Sequence, residues 1–157
     1  MWVKTHRWVV GMLFVIVVHS LGCSYFQAAG EKNRVIRMEM ERYVYDEPCE
    51  RVFPELRQVL FQDGYAVRNT GEGGMTLETE WTRDRSDNDR RYLAQGIATQ
   101  SQGCQLRVSF EQISAAGNRQ SGRDTDMELR VLQRVDPTDH AEILRKAEAA
   151  YQASVSS

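Results

Sequence analysis

The residues of this chain that could carry out chemistry are few and widely separated. His6 and His19 lie near the N-terminus, and His140 lies beside Asp139. A hydrolytic triad would need His140, an acid such as Asp136 or Asp139, and a serine nucleophile. These two acids are already explained by the start of a helix, whose positive end attracts carboxylates. The sequence therefore predicts no catalytic residue, and we expect that the protein is not an enzyme.

Two polar segments could be mistaken for ligand sites. The segment over residues 82–91, in which three aspartates are interleaved with four arginines, would need, as a calcium loop, a glycine at its sixth position and a glutamate at its twelfth. Counted from Asp84, these positions hold Asp89 and Gln95. The glycines over residues 71–74 are not followed by a helix that could hold a phosphate, and the histidine and cysteines lack the spacing of a zinc site. We therefore expect neither a metal nor a cofactor.

The first residues have the layout of an export signal. Lys4 and Arg7 precede an apolar run over residues 8–18, which is 11 residues long. A membrane-spanning helix needs about 20 apolar residues, whereas the apolar region of a secretory signal needs only about 7–15. The pattern favours a cleaved signal over a permanent membrane span.

Gly22 and Cys23 resemble the end of a bacterial lipobox, in which the cysteine becomes acylated and forms the new N-terminus. This resemblance implies a signal peptide over residues 1–22 and a lipidated N-terminus with a short linker over residues 23–33. Ser24 is similar to the outer-membrane default of lipoprotein sorting, so we expect an acyl anchor on the periplasmic face of the outer membrane. An ordinary signal peptide and an uncleaved anchor are the alternatives.

Charge and cysteine content limit the remaining choices. The 157 residues suit one domain, and 20 basic against 22 acidic side chains give a net charge of -2. Nucleic-acid binding would need a basic surface, so no nucleic-acid partner is expected. Cys49 and Cys104 could form a disulfide in an oxidising compartment, or they could be two free thiols.

The hydropathy pattern predicts the elements that must position these residues. Alternation over residues 35–45 predicts a strand, although the Glu, Met and Arg content also suits a helix. A helix follows and ends at Asp63 and Gly64. We then expect strands over residues 65–70, 75–82, 90–100 and 104–112 and a loop over 114–123. A capping box at Thr125 and Glu128 predicts a helix over 126–135, although Met127, Leu129 and Val131 also alternate as in a strand. We expect a last helix that ends near residue 153.

This pattern predicts a single α+β domain over residues 34–157. Its order is β-α-β-β-β-β-α-α, with an antiparallel sheet of about five strands and helices packed on one face.

Four segments of the chain resemble the helix-grip repeat of BamC-type lipoproteins, which are accessory subunits of the outer-membrane β-barrel assembly machinery. They are residues 50–56, 58–60, 64–67 and, after a glycine turn, 77–81. Small envelope lipoproteins of similar layout share this pattern. The resemblance and the acylation signal imply a non-catalytic envelope assembly or scaffold component with an envelope protein as partner. A periplasmic carrier that holds a lipid or small apolar ligand between sheet and helix is the alternative.

Aromatic and arginine side chains are the candidates for the partner surface. This composition is typical of protein contact patches, and it is also found at ordinary strand ends. The candidate residues are Trp81, Tyr43, Tyr45, Arg83 and Arg85.

Overall fold

The computed structural model describes residues 27–71, 74–84 and 86–156. The predictions that concern the signal peptide, the lipidation of Cys23 and the contact role of Arg85 lie outside these residues. The chain divides into two compact units. Within the described part, one unit contains residues 37–142, and the other contains residues 27–36 and 143–156.

The unit over residues 37–142 contains a six-stranded antiparallel sheet whose strands differ in length. Its order is β1-β2-β4-β5-β6, and β3 pairs with β4 beside β2. The longest pair is β4 and β5, which runs from Asp89 opposite Ile113 to Ala98 opposite Cys104. The strands are β1 (Val67–Thr70), β2 (Thr76–Thr79), β3 (Thr82–Arg83), β4 (Asp89–Ala98), β5 (Cys104–Ile113) and β6 (Arg119–Arg123).

The helices are α1 (residues 27–42), α2 (Cys49–Gln62), α3 (Thr125–Val135) and α4 (Pro137–Val155). In the sheet-containing unit, α2 and α3 contact each other and the central strands. Their apolar sides and one face of the sheet form the core, as the predicted α+β class requires. The buried core side chains include Val52, Phe53, Leu56, Leu60, Leu77, Tyr92, Leu106, Val108, Met127, Val131 and Leu132. The predicted fold class is therefore confirmed.

The ends of α2 follow from local chemistry. Pro48 precedes the helix, which begins at Cys49, so that Pro54 lies within its second turn. Residue 64 ends the helix with a positive φ of 84°, a conformation that glycine adopts without steric cost. The helix predicted between Pro48 and Gly64 is confirmed.

The strand predicted over residues 35–45 is wrong, because residues 27–42 are helical. Ile36 and Met40 are buried and Met38 is 37% exposed, which is the four-residue spacing of one helix face. The same side chains also satisfy an alternating pattern when all three are counted as apolar. The Met, Glu and Arg residues around them are strong helix formers, and that propensity prevails.

Two further predictions about this unit need correction. Residues 119–123 form β6 within the segment predicted as a loop. The capping box predicted at Thr125 is also wrong, because the N-cap is Asp124, whose Oδ1 accepts a hydrogen bond from the Met127 amide at 2.9 Å. The Glu128 side chain instead accepts a hydrogen bond from the Val108 amide in β5 at 2.7 Å.

Among its described residues, the second unit contains helical segments and no strand. Lys32 Nζ lies 2.8 Å from Glu148 Oε2, and Arg34 pairs with Glu31 one turn earlier. Ala28 and Ala147 are fully buried. Neither these helices nor any other helix among the described residues is long and apolar enough to cross a bilayer.

Candidate functional site

The two faces of the sheet differ in exposure. Tyr92 and Ala94 in β4 are buried on the face that contacts α2 and α3, as are Leu106 and Val108 in β5. Side chains alternate between the faces of a strand, so the intervening residues define the opposite face, which we call the outer face. Its residues are half-buried or exposed and include Arg91, Leu93, Gln95, Arg107, Ser109 and Glu111.

Arg91 is the centre of a charged cluster on the outer face. It lies directly opposite Glu111 in the pairing of β4 with β5, and its Nε donates to Glu111 Oε2 at 2.8 Å. Its Nη1 donates to Glu78 from β2 on the other side. The Arg91 side chain is 22% exposed, so two carboxylates from neighbouring strands hold the guanidinium in one position.

Trp81 lies against this cluster. The Arg91 guanidinium carbon is 4.9 Å from the centre of the Trp81 ring, which is a cation–π geometry. Trp81 is nevertheless 40% exposed. A large aromatic ring is thus held in place by a fixed cation while much of its surface stays accessible to solvent.

A one-residue shift in register places Trp81 on the outer face. Glu78 pairs with Leu93, but Thr82 pairs with Arg90, so the segment between β2 and β3 contains one residue more than the matching part of β4. Such a bulge moves the following side chains to the other face. Strict alternation along the strand predicted over residues 75–82 would place Trp81 on the same face as Leu77, which is buried. The extra residue that reverses this cannot be recognised without the strand pairing.

A depression of about 390 Å³ lies beside the cluster. It extends from Trp81 across β4 and β5 to β6, which is an edge strand of the sheet. The residues that line it and lie on the outer face are Trp81, Arg91, Glu111, Ile113, Arg119 and Ser121. Sequence reasoning identified Trp81 but missed the others, since they come together only through the strand register.

The charged side chains around the β3–β4 turn contact one another and the turn backbone. Arg83 is exposed and pairs with Asp89 at 3.2 Å and with Asp87 at 3.4 Å. Asp84 Oδ1 accepts hydrogen bonds from the amides of Asn88 and Ser86, and these bonds lower the pKa of Asp84. The Asp84 carboxylate therefore shapes the turn. Among the described residues, no group of three or more His, Cys, Asp or Glu side chains could hold a metal ion.

Tyr45 does not belong to an exposed contact surface. It is 2% exposed, its backbone pairs with Cys104, and its hydroxyl donates to the Glu128 carbonyl at 3.3 Å. Burial raises its pKa. Cys104 precedes Glu111 by seven residues along β5, a separation of roughly 24 Å in a strand. The prediction that Tyr45 contributes to the same surface as Trp81 is wrong, because α1 replaces the expected strand and leads the chain into the core.

Tyr43 is half-buried near the first turn of α4. Its hydroxyl donates to Asp139 Oδ2 at 2.9 Å, and its ring contacts that of Tyr45 edge-on at 5.0 Å. Burial, followed by the Asp139 carboxylate, raises the pKa of this phenol. Tyr43 therefore packs between α1 and the start of α4, at the opposite end of β5 from the Trp81 cluster.

The acids near His140 serve the start of α4. Asp136 Oδ1 accepts hydrogen bonds from the amides of Thr138 and Asp139, both at 3.0 Å. This is the geometry of a helix cap. The Asp139 carboxylate accepts a hydrogen bond from the Tyr43 hydroxyl, so both acids considered for a hydrolytic triad have structural partners.

Cys49 and Cys104 form a disulfide in the structure, with their Sγ atoms 2.10 Å apart. It joins the first residue of α2 to the first residue of β5. Both cysteines are buried. The bond lies against Gly96 of β4, where any side chain would approach the sulfur atoms closely.

A buried ion pair, which the sequence did not indicate, joins α3 to the end of β6. Glu128 is 1% exposed, and Arg123 donates to both of its carboxylate oxygens at 2.8–3.1 Å. Arg123 also donates to the Met40 carbonyl at the end of α1. Burial raises the pKa of Glu128, and the hydrogen bonds from Arg123 and Val108 oppose that rise.

Comparison of the chain with the models of known protein families and with curated proteins finds no match. The resemblance to BamC-type lipoproteins therefore stays a prediction.

Proposed function

We propose that this protein is a non-catalytic lipoprotein of the outer membrane, anchored on the periplasmic face through Cys23, that serves as an envelope assembly or scaffold component. It contacts another protein through the outer face around Trp81. The observation that carries this proposal is the accessible ring of Trp81 held against Arg91, which Glu78 and Glu111 fix from both sides.

The chemistry of this cluster suits protein recognition. Tryptophan and arginine are enriched among the residues that contribute most to binding energy. A side chain that is already immobile loses little conformational entropy when a partner covers it. Since the two carboxylates hold Arg91 and Arg91 holds the ring, the cluster is ordered before binding.

The anchor would strengthen such a contact. Each buried methylene of an acyl chain contributes about 0.8 kcal/mol to membrane binding, so several chains give a stable attachment. Restricting the domain to the membrane surface raises its effective concentration toward partners on the same membrane. A weak contact through the outer face would then be sufficient.

Crosslinking in living cells tests the proposal. The tagged full chain is compared with Trp81→Ala and with the control Phe61→Ala, which removes another exposed aromatic ring, 78% accessible on α2. We expect Trp81→Ala to reduce the crosslinked partner by about tenfold or more, as loss of a central aromatic does, and Phe61→Ala to leave it unchanged. Equal recovery of the same partner from Trp81→Ala and the unmodified chain would contradict the proposed surface.

A further inference from the structure

Strand β6 leaves one row of backbone groups without a neighbouring strand. It pairs with β5 over five positions, from Arg119 opposite Ile113 to Arg123 opposite Ser109. The amide of Asp124, just after the strand, donates to the Val108 carbonyl at 2.8 Å. Hydrogen-bonded and non-hydrogen-bonded pairs alternate in an antiparallel ladder, so the amides and carbonyls of Arg119, Ser121 and Arg123 point away from β5.

The opposite edge of the sheet is less suitable for pairing. Strand β1 has an irregular register between Val67 and Asn69, and such bulges are a common protection of edge strands. Strand β6 pairs without a register shift, and Arg119, Gln120 and Ser121 are exposed. A regular, exposed edge is a template for another extended segment.

We propose that the free edge of β6 binds an extended acidic segment of the partner by strand addition. This inference rests on the proposed function, because the depression beside Trp81 ends at β6 and an added strand would lie along its rim. The free amides and carbonyls, two residues apart, define the occupant as an extended backbone.

Charge selects an acidic segment. Within the part of the chain that the structure describes, Arg119 has no ion-pair partner, whereas Arg91 and Arg123 are paired. A second copy of β6, added antiparallel about Ser121, would place Arg119 opposite Arg123. Since Glu128 already neutralises Arg123, a second copy would bring no carboxylate to Arg119. An acidic segment would place opposite charges across the strand pair, which is stabilising.

The two faces of the added strand meet different surroundings. Residues that point to the outer face would lie beside Arg119, Ser121 and the depression. Residues that point to the other face would lie near Gly122, where the Phe110 ring is close enough to contact a Cβ at 3.3 Å. The expected occupant therefore alternates acidic and apolar side chains.

A proline substitution at position 121 would block strand addition without disturbing the fold. The Ser121 amide points away from β5, so Ser121→Pro removes a donor at the free edge and leaves the β5–β6 ladder intact. Ser121→Ala is the matched control, because it removes the hydroxyl and keeps the amide. Thermal unfolding of both full-length variants verifies that the fold is retained.

The probe is a short acetylated peptide that alternates glutamate and valine, added to the ¹⁵N-labelled full chain in mild detergent at up to millimolar concentration. We expect chemical-shift changes at the amides of Arg119, Ser121 and Arg123, unchanged binding to Ser121→Ala, and binding to Ser121→Pro about tenfold weaker, as loss of edge hydrogen bonds implies. A peptide that alternates lysine and valine should bind the unmodified chain more weakly than the glutamate–valine peptide does. Absence of these shifts, or equal binding by Ser121→Pro, would overturn the inference.

The cellular crosslinking experiment distinguishes this inference from the proposed function. If Trp81→Ala loses the partner and Ser121→Pro keeps it, the outer face binds a partner without strand addition and the inference fails alone. If neither variant loses the partner, both proposals fail. A dimer that dissociates in Ser121→Pro would identify a second copy as the occupant and would overturn the acidic segment.

Discussion

Replacing Gly96 with alanine tests the packing around the disulfide. A Cβ at this position would lie 2.7 Å from Phe53 Cε2, 2.9 Å from Cys49 Sγ and 3.4 Å from Cys104 Sγ. Overpacking a core by one methyl group typically costs about 1–3 kcal/mol. Removing the backbone freedom of a glycine from the unfolded chain offsets about 0.5–1 kcal/mol. Two of these contacts are shorter than 3.0 Å, so the upper half of the overpacking range applies. We therefore expect Gly96→Ala to lower the free energy of unfolding by about 1–2.5 kcal/mol.

The assay is urea unfolding of the full chain under non-reducing conditions, followed by circular dichroism. Gly30→Ala is the matched control, because residue 30 is in α1 and its added Cβ would meet no atom within 4 Å. That substitution should stabilise the helix by up to about 1 kcal/mol. If Gly96→Ala proves as stable as the unmodified chain, the contact between the sulfur atoms and β4 is not as tight as described.

Two other predictions concern the buried ion pair and the anchor. Arg123→Met leaves Glu128 buried without its cation and should destabilise the protein by about 3 kcal/mol at neutral pH. Because burial raises the Glu128 pKa, the native state of this variant binds the proton more tightly than the unfolded state; its stability should therefore fall as pH rises above about 4.5, more steeply than for the unmodified chain in urea titrations at several pH values. Cys23→Ala should abolish incorporation of labelled palmitate in cells, and unchanged labelling would refute the proposed acylation.

The sequence was sufficient to predict elements whose pattern has one interpretation. Helix α2 has an apolar face at three- and four-residue spacing and ends just before Gly64. In β5, apolar and polar residues alternate from Cys104 to Glu111. The strand predicted over residues 35–45 was wrong because Ile36, Met38 and Met40 fit a strand period as well as a helix period. Tertiary burial of Ile36 and Met40, which no local pattern contains, decided between them.

Strand β6 was missed for a different reason. Its five residues contain no large apolar side chain, and an edge strand with mostly exposed side chains gives no alternating signal. The positive φ of 81° at Gly117 lets the chain turn back after β5, but a glycine in a polar segment is equally common in a loop.

The candidate site was only partly predictable, since it depends on pairing. Composition predicted Trp81 as a candidate for the partner surface, but its neighbours Arg91, Glu78 and Glu111 come from three strands. Their contact requires the β2–β4–β5 register and the extra residue before β3. Neither feature can be read from local spacing, because both depend on which strands meet.

The position of Trp81 gives the protein an internal optical reporter. Of the three tryptophans, Trp2 and Trp8 lie in the first eight residues, so Trp81 would be the one tryptophan of a chain cleaved before Cys23, and tryptophan can be excited separately from tyrosine. Its indole ring is stacked on a guanidinium and borders water on its other side. Covering that side would shift the emission to shorter wavelength, so occupancy of the depression can be followed in solution without a label.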